Sequence, residues 1–404
     1  LWAEILQHVP QQQRLRQCAL VCRAWSRSAT QATVHLERKF ELGAAPRLGP
    51  WLALYADQLL SLKLSDNRHV KSIGGLQLHL SKLTNLQRLQ LQNIRISVQL
   101  RSVGDGSSHA AWPALASLQQ LELKGVGLSV STLLQLTKAP QLTSLVLSDH
   151  IIYSSAGIRV HTWPPDAEVT DAIPRMLQQL PRLSVLHMPD LPILIGKAAV
   201  QQLAALTRVQ DISILSGPEA ACGLQQLPSS LTKLKLRGHL NSFSPELPQL
   251  AGLLRLDLKN LRVSFDMLAT FSQLQMLRLG SCTLLPRTSH TNTPTAGTAL
   301  EALRELTCLQ HLELDGVYFA RIAPQQFSAV TASSQLTQLV VKCDGGVCLP
   351  KSAVQHMFAP HRQMQALQQL NISTMDCKYN VAEDCCIEAP ACSASPAAAL
   401  SCST

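Results

Sequence analysis

The sequence predicts an α/β solenoid in which short parallel strands stack coil upon coil and short helices or irregular segments close each coil. Three observations predict it. A six-residue phrase, apolar-x-x-apolar-x-apolar, recurs along most of the 404-residue chain. Hydrophobic residues make up 46% of the chain but aromatics only 4%, so the interior must be built from Leu, with Ile, Val and Ala completing it. The spacing between phrases matches the length of one structural repeat, so the whole array can form one continuous body and not several ordinary domains.

The phrase begins at Leu59, Leu86, Leu118, Leu142, Leu183, Val209, Leu231, Leu253, Leu274, Leu309, Leu336 and Leu367. Most intervals run from 21 to 32 residues, and two longer ones of 41 and 35 mark insertions. In Leu118-Gln119-Gln120-Leu121-Glu122-Leu123, period-two alternation turns Leu121 and Leu123 inward and leaves Gln120, Glu122 and Lys124 outward. Each phrase is therefore a strand with one buried face. The return segments, such as Ser131 to Lys138 and Glu301 to Leu306, carry apolar residues three or four apart but are too short for free-standing helices. Three segments break the rhythm, Arg101 to Pro113, Ile152 to Pro174 and Thr283 to Thr298, and their Gly, Ser, Thr and Pro content predicts exposed loops.

The phrases Leu86-Gln87-Arg88-Leu89-Gln90-Leu91 and Leu309-Gln310-His311-Leu312-Glu313-Leu314 resemble the leucine-rich-repeat family. The resemblance covers Leu59 to Ile372 and implies a leucine-rich-repeat solenoid with the strands on its concave face. The family carries Asn or Cys three positions past the last strand leucine. Asn67 and Cys282 match, whereas Val126, His239 and Val317 do not. Coils without that residue are expected to lack its buried hydrogen bonds to the turn.

Residues 1–40 precede the repeats. Leu1, Ile5, Leu6 and Val9 share a helical face that ends at Pro10, and Leu15, Cys18, Ala19, Cys22 and Trp25 recur at helical spacing. The string Leu15-Arg16-Gln17-Cys18-Ala19-Leu20-Val21-Cys22-Arg23-Ala24-Trp25, preceded by Leu1 to Pro10, resembles the F-box, a helical motif that docks on the linker subunit of cullin-RING ubiquitin ligases. The family has Leu-Pro where this chain has Leu1-Trp2. The resemblance implies docking on a Skp-family linker through Leu1, Ile5, Leu6, Leu15, Val21 and Trp25. A bland alternative is a helical cap over the leucines of the first coil. The expected organisation is thus an F-box-like segment at 1–40, a connector at 41–58, about twelve repeats over 59–375, and a disordered Ala-, Ser- and Cys-rich tail at 376–404. The chain opens at Leu1 and not at Met, so an upstream piece is expected.

The formal charge of +9 gives a mild preference for acidic partners. Dense basic runs and interleaved aromatics are absent, which argues against nucleic acid. Apolar stretches are interrupted well before the ~18 residues of a membrane span, so no membrane segment is expected. The twelve cysteines read as reduced thiols in a chain with its own aliphatic core. Cys343 and Cys348, with Cys377, Cys385, Cys386, Cys392 and Cys402 in the tail, form no Cys-x-x-Cys pair, so no metal is expected. No phosphate-binding Gly-rich loop and no Gly-x-Ser-x-Gly elbow occurs, and neither a cofactor nor an enzymatic activity is expected.

Alternation fixes the outward strand positions. Coils seven to nine present Lys233, Lys235, Arg237, Arg255, Lys259 and Arg278, with Asp257 as the only acid, and predict one basic concave patch for an acidic or phosphorylated segment. His311, Glu313 and Asp315 project together from one later strand. A single strand is a poor catalytic site, so they read as recognition surface. Together these readings imply a non-catalytic substrate-recognition adaptor of a cullin-RING ligase, cytoplasmic or nuclear. The rival readings are a scaffold, cytoskeletal for instance, whose N-terminal helices only cap the array, and an extracellular receptor using the glycosylation triplet Asn371-Ile372-Ser373.

Overall fold

The computed structural model describes residues 6, 8–10, 13, 35–40, 56–66, 83–93, 116–129, 133–134, 136–148, 151–153, 159–160, 167–189, 202–216, 227–242, 250–264, 268–285, 300–317, 322–343, 349, 351–359 and 364–374. They fall in two compact units, Leu1–Ile193 and Leu194–Thr404.

In the first unit the strands are β1 (His35–Phe40), β2 (Ser61–Asp66), β3 (Arg88–Gln92), β4 (Gln120–Lys124), β5 (Gly127–Ser129), β6 (Ser144–Ser148), β7 (Ile151–Tyr153), β8 (Arg159–Val160) and β9 (Val185–Met188), with one helix, α1 (Ala167–Gln178). The six strands β1, β2, β3, β4, β6 and β9 pair in parallel in that order, and phrase positions face each other: Leu62 pairs with Leu89, Leu89 with Leu121, Leu121 with Leu145, and Leu145 with Leu186. Like positions pair because a one-residue slip would carry every leucine to the wet face. Leu62, Leu64, Leu91, Leu123, Leu145 and Leu147 are fully buried. The second unit holds β10 (Asp211–Ser216), β11 (Lys233–Ser242), β12 (Arg255–Ser264), β13 (Met276–Gly280), β14 (Thr283–Leu285), β15 (His311–Asp315), β16 (Gln338–Cys343) and β17 (Gln369–Thr374), with helix α2 (Lys351–Met357). Its seven long-ladder strands are again parallel and in register, β14 pairing instead with the far end of β12. The fold is that of a leucine-rich-repeat stack, built from the repeats themselves.

Return segments supply the opposite wall. Ala172, Ile173, Met176 and Leu177 of α1 are buried, as are Ala353, Val354 and Met357 of α2. The short segments expected from sequence are 3-10 turns at Leu136–Lys138 and Glu301–Glu305, which bury Leu136 and Leu303. A further 3-10 helix, Pro324–Ala329, buries Phe327 and Ala329.

Hydroxyls and backbone amides tie coil to coil. Where the second phrase position is Thr or Ser, its hydroxyl donates to a carbonyl of the preceding coil: Thr143 to Gln119, Ser184 to Thr143, Thr232 to Gln210, and Thr337 to Gln310, all between 2.9 and 3.1 Å. The missing family Asn is replaced by backbone. Two positions past the last strand leucine the chain turns left-handed, at Asn93, Gly125, Asn260, Ser281 and Gly316. Four of these residues donate their N–H to the next coil, Asn93 to Lys124, Gly125 to Ser148, Ser281 to Asp315 and Gly316 to Lys342, at 2.6–2.9 Å. The following residue then needs no polar side chain and packs as core: Val126, Leu261 and Val317 are at most 2% exposed. At Cys282 the family residue is retained, and its thiol donates to the carbonyls of Leu258 and Gly280, both at 3.3 Å.

The structure corrects three expectations. Residues 35–40, assigned to the helical segment, form β1, because Leu36 alternates with polar neighbours and β2 offers a free edge. The segment Ile152 to Pro174 is not a loop throughout, since β7 and β8 pair antiparallel and α1 begins at Ala167. Pro174 lies inside α1, where it removes one backbone donor, and apolar packing of Ile173, Met176 and Leu177 holds the helix together across it. Thr283 to Leu285 of the third interrupted segment form β14. Arg101 to Pro113 lies outside the described residues, as does the tail.

Candidate binding face

The outward side chains of the second unit form three parallel rows, because each strand offers three outward positions and the register aligns them. One row is Asp211, Lys233, Arg255, Met276, His311 and Gln338, and the middle row is Ser213, Lys235, Asp257, Arg278, Glu313 and Val340. The third is Leu215, Arg237, Lys259, Gly280, Asp315 and Lys342. All nine candidate strand residues named from the sequence thus share one face, with neighbouring strands ~4.8 Å apart.

They do not form a uniformly basic patch. Lys233 pairs with Asp211 at 3.6 Å, Lys235 with Asp257 at 3.4 Å, and Arg278 with Glu313 at 3.2 Å. The middle row alternates in sign across four strands because each cation has settled beside a carboxylate one coil away. Among the described residues, Arg255 and Lys259 alone of the six cations have neither an ion pair nor a hydrogen bond from the side chain. Both are exposed. They are the first and fifth residues of the same strand and flank Asp257. The Lys259 stem lies across Gly280, its Cγ 3.4 Å from where a Cβ would stand, so the glycine gives the lysine a floor. The two cations of this group without a side-chain partner among the described residues are therefore both on β12.

Glu313 is the hub of the later strands. It is 8% exposed, and it takes Lys342 at 3.1 Å, Arg278 at 3.2 Å and the His311 Nε2 at 3.9 Å. His311 Nδ1 lies 2.7 Å from the Gln338 Oε1, which fixes the ring plane. A carboxylate held by two cations is already satisfied, and its chemistry here is to lock three strands' side chains into one arrangement. Asp211, Gln338 and Lys342 were missed in the sequence reading. Alternation in Val209-Gln210-Asp211-Ile212 and Leu336-Thr337-Gln338-Leu339 exposes the first two, but only the register shows which charges meet.

Near this face, the Cys282 thiol is pushed up to about 11 from an ordinary 9.0, first by burial and further by the Asp257 charge, against a smaller opposing pull from backbone amides. It remains a protonated core group. No set of three or more His, Cys, Asp or Glu side chains among the described residues is placed to hold a metal. Asn371 lies in β17 opposite Val340, and its Oδ1 is buried without a hydrogen-bond partner.

The first unit has its own hollow, which the sequence reading did not single out. It is a cavity of about 390 Å³ over β1 to β6, lined by His35, Ser61, Lys63, Arg88, Gln90, Gln120, Glu122, Ser144 and Val146 among others. The Gln90 amide donates to Glu122 at 2.6 Å.

Of the residues expected to dock on a ligase linker, Leu6 is described: it is 2% exposed and its carbonyl accepts from the Val9 N–H at 3.2 Å. Leu1, Ile5, Leu15, Val21 and Trp25 lie outside the described residues. No helix among the described residues is long and apolar enough to cross a membrane.

No family model matches the chain, and no curated protein matches it. Among solved structures it is similar to an internalin, InlF, from Listeria monocytogenes strain 4b F2365, at 15% identity and a TM-score of 0.49, over 88% of this chain and 91% of that one. It is also similar to the functional domain of InlJ from Listeria monocytogenes, which includes a cysteine ladder, at 14% identity and a TM-score of 0.42, over 79% and 59% of the respective chains. A third likeness is to the TLR13–ssRNA13 complex, at 15% identity and a TM-score of 0.41, over 86% of this chain and 55% of that one. The repeat assignment rests on this chain's own phrases and ladder, and no partner follows from these likenesses.

Proposed function

We propose that this chain is a non-catalytic binding subunit, and specifically a substrate-recognition adaptor of a cullin-RING ubiquitin ligase that works inside the cell. The strand face of the repeats holds the target, and the F-box-like residues 1–40 dock on the Skp-family linker. The observation that carries the binding role is the outward face of the second unit. There a rigid parallel ladder displays ordered charges and keeps two exposed cations, Arg255 and Lys259, without a carboxylate. Such a face matches an acidic or phosphorylated segment. Ubiquitin transfer belongs to other subunits, and this chain raises the local concentration of the target's lysines.

One observation favours the scaffold reading instead. Residues 35–40, expected to belong to the F-box-like segment, pair as a strand of the stack, so part of that segment belongs to the array. A pull-down of the full-length chain against purified linker decides between them, beside a Val21→Asp, Trp25→Ala double variant whose fold is checked by circular dichroism. The adaptor reading expects linker capture by the wild type and its loss in the folded variant. Absence of capture by folded wild type at high protein concentration defeats the adaptor reading and leaves the scaffold.

A further inference from the structure

The hollow of the first unit is arranged differently from the face just described. On β3, Arg88 is exposed, stands between Ser61 and Gln120 in its row, and pairs with no carboxylate among the described residues. On β4, the next strand, Glu122 accepts from the Gln90 amide and pairs with no cation among the described residues. On β6, the strand after that, the corresponding outward position is Val146, an aliphatic side chain left half-buried at the wall of the hollow. A cation, an anion and an apolar group thus follow one another across three adjacent strands, and neither charge is neutralised by the other.

We infer that this hollow is a second recognition site, taking an extended peptide that lies across β3, β4 and β6 with the pattern acidic-x-basic-x-aliphatic. The spacing carries the pattern. Arg88 and Val146 are two strands apart and offset by two residues along the strand, a separation of roughly 12 Å at ~4.8 Å per strand and ~3.3 Å per residue. In an extended peptide, positions i, i+2 and i+4 share one side and span about 13 Å. The first then meets Arg88, the middle one Glu122, and the last Val146. Ser61, Gln120 and Ser144 line the same hollow and offer neutral donors and acceptors to the peptide backbone between those anchors. An acidic middle residue would face Glu122 and be repelled, so the site discriminates by charge order and not by net charge. This separates it from the second unit, where the exposed unpaired cations Arg255 and Lys259 stand on one strand on either side of Asp257.

Fluorescence anisotropy with the full chain tests the assignment. The labelled peptides are Ala-Glu-Ala-Lys-Ala-Leu-Ala, its reverse, and the charge-exchanged Ala-Lys-Ala-Glu-Ala-Leu-Ala with its own reverse. At least one of the first two should bind about tenfold more tightly than both charge-exchanged peptides, a difference of one decade in Kd. The double exchange Arg88→Glu, Glu122→Arg should invert that preference, because both positions are outward and the fold does not depend on them. Arg255→Glu, Lys259→Glu should leave it unchanged. Equal affinity for all four peptides overturns the inference, as does a preference that survives the Arg88 and Glu122 exchange. Loss of the preference in the Arg255 and Lys259 variant would instead assign these peptides to the other face. The outcome is independent of the ligase reading, since no linker is present.

Discussion

Gly238→Ala is expected to destabilise the second unit by about 3 kcal/mol, the upper end of the usual cost of forcing atoms into a packed core. Gly238 lies in β11 beside the left-handed turn at Asn260, and the register between β11 and β12 shifts just beyond Arg237. A Cβ there would stand 2.6 Å from the Asn260 carbonyl oxygen and 2.4 Å from a Leu261 methyl. A methyl could rotate away, but a backbone oxygen moves only with its coil, and Leu261 is itself buried core. Gly252→Ala is the matched control, because its new Cβ would meet nothing closer than 3.9 Å. Urea denaturation followed by circular dichroism should show a lower midpoint for Gly238→Ala and almost none of that shift for Gly252→Ala. Equal shifts would mean that the two coils do not approach as closely as described.

Glu313→Gln should have two effects of opposite value. Removing the charge leaves Arg278 and Lys342 without their carboxylate, at a cost of about 1–2 kcal/mol, kept modest because both cations remain 38–44% exposed and can hydrate. The same change releases two cations on the face that already holds Arg255 and Lys259. Affinity for acidic peptides should therefore rise even as the denaturation midpoint falls. A variant that loses stability without gaining affinity would show that Glu313 serves packing alone.

The leucines that make the strands were readable because one phrase at one period leaves a single way to bury them, and the burial of Leu121 and Leu123 between exposed or half-exposed neighbours follows that alternation. Other features were not, for reasons that are equally physical. Period-two alternation states that Lys235, Asp257, Arg278 and Glu313 point outward, but which of them touch depends on register between segments 21 to 35 residues apart, and a list of outward cations therefore overstates the positive field. The replacement of the family Asn at Val126 and Val317 suggested lost turn hydrogen bonds. The turn instead recruits the N–H of the preceding left-handed residue, Gly125 or Gly316, which a side-chain pattern cannot reveal. The strand at residues 35–40 was hidden because only Leu36 and Phe40 are apolar there, too sparse a pattern to announce a strand before its partner β2 is known. In the first unit the same alternation exposed Arg88 and Glu122, yet their low charge density drew no notice until the ladder set them on adjacent strands, two residues apart in register.

In the proposed function, the strand face of the second unit recognises an acidic segment through the cations its own carboxylates leave free. The most direct test measures binding of fluorescent tetra-glutamate and phosphoserine peptides to the full chain and to its Arg255→Glu, Lys259→Glu variant, at two salt concentrations. Salt-sensitive binding to the wild type is expected, weakened about tenfold or more in the variant with no change in denaturation midpoint. Equal binding by wild type and variant, or none by either, would contradict it.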